Sequence, residues 1–193
     1  MEVAEKSSRS RLLLESLGKL PEPVARPVFI VVAGLPGSGK TYLSKKLAEK
    51  IPVVILESDA LRKTLFPKPS YTPEESATLF REIHLLITKL LENGISPILD
   101  ATNLSERFRE RLYNIADRVS AKLILVYVKA PPEVISSRLE ARKHEKDSKS
   151  DADIAIYEKM LPTVEKIRRQ HFVVDTSSDI TAAINRIVKE VKR

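Results

Sequence analysis

Gly34-Leu35-Pro36-Gly37-Ser38-Gly39-Lys40-Thr41 holds three of the chain's five glycines. The stretch satisfies the pattern G-x-x-x-x-G-K-[ST]. An unbroken apolar run, Val28–Ala33, leads into it, and a segment of helical spacing, 40–50, leads away. Each part of this strand–turn–helix has a physical use. The glycines let the backbone double back so that successive N–H groups point at one anion. The following helix adds the partial positive charge of its N-terminus. Lys40 has the length to reach the outer phosphates of a nucleotide, and the Thr41 hydroxyl is a hard oxygen donor for Mg2+. Residues Gly34 to Thr41, with Tyr42 behind them, are therefore read as the binding site for ATP and its magnesium ion.

Outward from this loop, short apolar runs alternate with helical patterns. Strands are expected at 28–33, 52–56, 96–100, 122–128 and 171–175, all rich in Val, Ile or Leu and suited to burial on both faces. Helices are expected at 40–50, 59–66, 73–93, 104–119, 132–144, 151–168 and 179–192. The helix at 73 starts with Thr72 as N-cap, Pro73 in the first turn and Glu75 closing a capping box, and Gly94 ends it. Such alternation predicts an α/β fold, a parallel sheet with helices on both faces. Residues 28–193 read as one domain. Residues 1–27 stand apart: a short amphipathic helix over Arg11–Leu20, broken by Pro21, Pro23 and Pro27, that packs on the domain, joins an oligomer or remains a tail. The charged stretch Lys143–Asp153 reads as a loop.

The chain has 193 residues, enough for a real core, and 42% of them are hydrophobic. Its 33 Lys and Arg against 26 Asp and Glu give a net charge of +7, which favours anionic partners, nucleic acid among them. There is no cysteine, so disulfides and thiolate chemistry are excluded. No apolar run reaches the ~18 residues of a membrane span. The polar start has no secretory core, and the expected location is the cytoplasm. Oligomeric state is not legible.

Several strand ends carry chemistry. Asp100 closes the apolar run Pro97-Ile98-Leu99, where it holds the metal's surroundings or caps the next helix. Asp59 ends the second run, and Arg62 follows one helical turn later. The pair suits a base for an attacking hydroxyl and a cation for an anionic substrate group, or an N-cap with a surface arginine. Arg138 and Arg142 share a helix face ahead of 143–153. They read as lid arginines that stabilise transferred charge, or as a salt-bridged surface with Glu145 and Asp147. The scattered His84, His144 and His171 are given no role.

Four stretches taken together are more specific: Gly34–Thr41, Glu57-Ser58-Asp59-Ala60-Leu61-Arg62, Asp100-Ala101-Thr102-Asn103, and Val126-Tyr127-Val128-Lys129-Ala130-Pro131 followed by Arg138 and Arg142. Over about 28–175 the chain resembles the P-loop kinases of the polynucleotide-kinase and zeta-toxin type. That resemblance implies a P-loop NTPase fold with a five-stranded parallel sheet in the order 2-3-1-4-5 and an arginine-bearing lid at about 138–153. It implies Asp59 as general base, Arg62 on substrate phosphate, Thr102 and Asn103 beside the substrate, and Arg138 and Arg142 on ATP. The catalytic set is then Lys40, Asp59, Arg138 and Arg142.

Competing functions leave weaker traces. A hydrolase usually sets Glu or Gln to orient water, and Asp100 is followed instead by Ala101-Thr102-Asn103. No Asn-Lys-x-Asp guanine reader occurs. A module that binds ATP without turnover is a third reading. Among kinases, the 5′-hydroxyl of a polynucleotide is the first expectation for the acceptor. The alternative is a small molecule: a nucleoside, sugar, nucleotide sugar or antibiotic.

Overall fold

The apolar run before the glycine-rich loop forms the centre of the sheet. In the computed structural model, which describes residues 2–142 and 153–193 with side chains from residue 8 onward, β1 (Val28–Ala33) is buried along its whole length. It lies between β3 (Ser96–Asp100) and β4 (Lys122–Lys129), with β2 (Val53–Glu57) and β5 (Phe172–Asp175) at the edges. The order is β2-β3-β1-β4-β5 and every pairing is parallel, as expected. β2 and β4 end one residue later than the apolar runs suggested, because Glu57 and Lys129 still pair with Asp100 and Asp175 in the ladder.

Alternation along β1 feeds two cores. Phe29 and Val31 face one layer, with Leu56, Leu99 and Leu125 of the neighbouring strands. Covering it are α3 (Ser58–Leu65), α4 (Pro73–Glu92) and α5 (Glu106–Arg118). Ile30 and Val32 face the other layer, against α2 (Lys40–Ala48) and α8 (Thr181–Val191) through Leu43, Leu47, Ile184 and Ile187. Each fully buried Leu or Ile contributes about 1.5–3 kcal/mol, so the central strands anchor whatever their ends carry. A third, smaller cluster joins Leu35 of the loop to Ile135 and Leu139 of α6 (Pro132–Arg142) and to Tyr157 of α7 (Ile154–Met160).

The N-terminal helix, α1 (Glu2–Ser16), lies earlier than the expected Arg11–Leu20. Gly18 at φ 66 ends it. Leu13 is fully buried in the first core, and the Ser10 hydroxyl donates to Glu82 at 2.8 Å, so α1 packs on α3 and α4. The helix expected over 151–168 stops at Met160. A 3₁₀ turn, Leu161–Thr163, carries Pro162, and the chain then extends because α5 captures its backbone: Arg109 donates to the carbonyls of Glu165 and Lys166 at 3.0 and 3.2 Å. The expected loop 143–153 lies, except for Asp153, outside the described residues. Among the described residues no helix is long and apolar enough to cross a membrane.

Candidate active site

A parallel sheet gathers the C-terminal ends of its strands at one edge, and here those ends carry the polar residues. The loop 34–41 leaves β1 at this edge. A side chain at Gly34 would collide with the Val128 carbonyl, and the Gly34 N–H donates to Thr102 at 3.0 Å. Gly39 caps α2 at φ 90, and a Cβ there would lie 2.8 Å from the Thr176 hydroxyl. The β4 backbone at Val128 and the Thr176 side chain thus press on the glycine-rich turn at points where only glycine leaves room.

Thr41 donates from its hydroxyl to the Asp100 carboxylate at 2.6 Å, across 59 residues of sequence. The Lys40 ammonium donates to the Leu35 carbonyl at 3.0 Å and so lies over the loop. Burial lowers the Lys40 pKa; Asp100 and Asp59 oppose that shift, and Arg142 adds to it. Burial likewise raises the pKa of Asp100, against Lys40 and the Thr41 hydrogen bond, with Glu57 and Asp59 adding to it. Lys40, Thr41, Asp59, Asp100 and Arg142 are therefore one electrostatic cluster. Glu57 belongs to it as well, since β2 pairs it with Asp100. The sequence reading passed over it, although its place at a strand end was the available signal.

Other expected site residues are held by partners within the chain. Arg62 was expected on substrate, but it is buried between α3 and α4. It donates to Glu75 and, at 3.1 Å, to Ser76, and it stacks on Tyr71 with its guanidinium 4.8 Å from the ring centre. A buried arginine needs such a partner, and Glu75 supplies it. Glu75 consequently leaves its capping box half made. Its N–H is held by Thr72 at 3.2 Å, while its carboxylate accepts from Ser70 and Tyr71 instead of closing back on Thr72. Asn103, also expected beside the substrate, donates its amide to the Val32 carbonyl at 2.8 Å and is buried. Arg138 binds Thr176, at 2.8 Å on the hydroxyl and 2.7 Å on the carbonyl, and Gly37 at 3.3 Å. Thr176 in turn donates to the Ser38 carbonyl at 2.7 Å. Arg138, expected on ATP as a lid arginine, here joins the loop at Gly37 to Thr176 after β5. Thr176, which carries this link, was missed, and nothing local in the sequence marks it. Tyr42 is 53% exposed on α2.

The Arg62–Glu75 pair gives a pH test. Burial alone would raise the Glu75 pKa, but hydrogen bonds from Ser70, Arg62 and Tyr71 hold it at about 2, against an ordinary 4.5. A folded-state pKa below the unfolded one contributes stability above pH 4.5 that is lost as pH falls towards about 2. In urea titrations, the gap between the native chain and Glu75→Gln is expected to be full above that window and to close through it. A gap that stayed constant down to pH 2 would show that the carboxylate charge is not what holds Arg62.

A cavity of about 500 Å³ opens beside Thr102, between α4, α5 and the segment 160–165. Phe80, His84, Phe108, Leu112 and Met160 contribute to its lining, together with Asn103, Leu104 and Glu165. Arg109, almost wholly buried, organises these walls. It binds Glu106 at 2.6 Å and the carbonyls of Asn103 and Leu104 at 2.8 and 2.6 Å, besides those of Glu165 and Lys166. Burial first, and Arg111 second, lower the His84 pKa to about 4, so its ring is neutral at pH 7.

Comparison with known proteins matches these features. The chain is 36% identical over 117 residues to the L-seryl-tRNA(Sec) kinase of Methanococcus maripaludis, covering 58% of this chain and 44% of that one. It is 35% identical over 111 residues to a "Probable adenylyl-sulfate kinase" of Pyrococcus abyssi, covering 54% and 61%. The chain thus spans about half the length of these curated relatives. Among solved structures, that of APE1195 superposes with a TM-score of 0.70 over 89% of this chain and 98% of that one, at 23% identity, a likeness of fold. The AAA domain model matches residues 29–167, and the chain belongs to that family.

Proposed function

We propose that this protein is an ATP-dependent kinase that moves the γ-phosphoryl group to an acceptor hydroxyl, the 5′-hydroxyl of a polynucleotide being the first acceptor to test. The observation that carries the reading is the 2.6 Å bond from Thr41 to Asp100, made beside Lys40 at the mouth of the loop. It joins the loop's hydroxyl to a strand-end carboxylate, both hard oxygen donors, and Asp59 stands at the next strand end. Both curated relatives are named as kinases. Resemblance to polynucleotide kinases and the charge of +7 support the polynucleotide.

Thr41 and Asp100 fit a magnesium ion, which takes few protein oxygens and completes its shell with phosphate and water. When bound, the ion would neutralise charge on the triphosphate. The chain's own residues do the rest. The loop's N–H groups hold the phosphates. Asp59 accepts the proton of the acceptor hydroxyl as its oxygen bonds to the γ-phosphorus and the bond to the β-phosphate oxygen breaks, leaving ADP. Lys40 and Arg142 stabilise negative charge on the moving group.

A compact acceptor is the second reading, favoured by the 500 Å³ cavity, which is of small-molecule size. The test is transfer from γ-labelled ATP to a short DNA or RNA with a free 5′-hydroxyl, with Lys40→Ala as control. Label on the oligonucleotide, absent with the variant, is the expected result. Label on nucleosides or sugars alone would reject the polynucleotide and retain the kinase. ATP binding without label on any acceptor would favour a non-catalytic module.

A further inference from the structure

The cavity beside Thr102 differs in kind from the loop next to it. Two phenylalanines, two leucines and a methionine line it, and among the described residues neither lysine nor arginine does. Its one imidazole is neutral at pH 7. A phosphate or sugar acid would find no cation inside, only the Glu165 carboxylate, whereas the aromatic lining suits a flat neutral ring that can stack. Positive charge waits at the rim instead. The Arg111 guanidinium lies 5.7 Å from the centre of the Phe108 ring and close enough to His84 to disfavour its charge. Phe108 itself is 53% exposed, an aromatic face presented rather than packed away. The cavity is tied to the loop 34–41 through Thr102, whose carbonyl receives the Gly34 N–H at 3.0 Å. The cavity therefore adjoins the start of that loop.

We propose that this cavity receives the nucleobase of the phosphoryl acceptor, stacked at Phe108, with the acceptor's own phosphate at the Arg111 rim. The assignment rests on the kinase reading for the cavity's purpose. It names the acceptor class by chemistry: a neutral heteroaromatic ring, a hydroxyl on its sugar and an anionic group pointing outward. His84, unprotonated, offers one donor and one acceptor to the edge of the ring, as base recognition requires. Base-on-aromatic stacking tolerates any base, so Phe108 sets affinity while His84 sets preference among bases.

The probe is 2-aminopurine riboside 3′-monophosphate, which keeps a free 5′-hydroxyl, added to the full chain with ADP and Mg2+. Its fluorescence is expected to quench on binding. Phe108→Ala should weaken its Kd by about tenfold or more, without loss of fold, because the ring is largely exposed. The same sugar phosphate lacking the base should fail to displace the probe at equal concentration. Absence of quenching, an unchanged Kd in the variant, or full displacement by the base-less compound would overturn the assignment. Transfer of label from ATP is read separately. Quenching without transfer to any acceptor would sink the kinase reading and leave the base site standing. Transfer to a sugar without quenching would do the reverse.

Discussion

Lys40→Met is expected to cut phosphoryl transfer by at least about 10²–10³-fold, the usual cost of deleting one preorganised donor to developing charge. The ammonium is the cation that the loop sequence itself supplies. It lies on the Leu35 carbonyl at 3.0 Å, over the turn where phosphates would sit. Its pKa is lowered chiefly by burial, so its charge is poorly solvated and gains from an anion. Methionine matches the length of the side chain and favours the helix, so α2 should keep its start. The loop's N–H groups also remain, and ADP affinity should fall far less than turnover. Initial rates with labelled ATP, ADP binding by calorimetry and a thermal melt separate these effects. Full turnover in the variant would remove Lys40 from the chemistry and the kinase scheme with it. A collapsed melt would point to a structural part for the ammonium, and Lys40→Arg, which keeps the charge, would then decide.

Legibility followed the range of the interactions. The loop is local: strand, glycines, lysine and hydroxyl are consecutive, so residues 34–41 could be read directly. β1, β3 and the start of α4 were equally plain, because apolar runs and an N-cap are short-range signals. Asp100 could be found because a carboxylate at the end of a buried strand has one open direction. Arg62 could not be placed from its spacing to Asp59. Its position is decided by Glu75, which lies on another helix and competes with any substrate anion for the same guanidinium. Arg138 shows the same effect, since Thr176, 38 residues later, takes both of its terminal nitrogens. The cavity was least visible. Its walls come from residues near 80, 103, 108 and 160, joined by the buried Arg109, and the extension that breaks the expected helix at 160 builds one of them.

Asp59→Asn should lower turnover by about 10²–10⁴-fold, the range over which a positioned base assists proton transfer, with ATP affinity nearly unchanged. Asp59 opens α3 at the end of β2, and its charge acts on both Lys40 and Asp100. That places it in the cluster without making it a direct contact of Thr41, whose hydroxyl is occupied by Asp100. Asparagine keeps size and the preference for a helix start, so the change isolates the proton-accepting oxygen. Glu57 provides the comparison: it is another carboxylate of the same cluster, acting on Asp100 but not assigned the proton, so Glu57→Gln should cost less turnover than Asp59→Asn. ATP binding lost while turnover per bound ATP held would make Asp59 a nucleotide-site residue. If Glu57→Gln instead abolished turnover and Asp59→Asn did not, the proton would leave through the neighbouring strand-end acid. The acceptor hydroxyl would then lie over β2 itself and not at the start of α3.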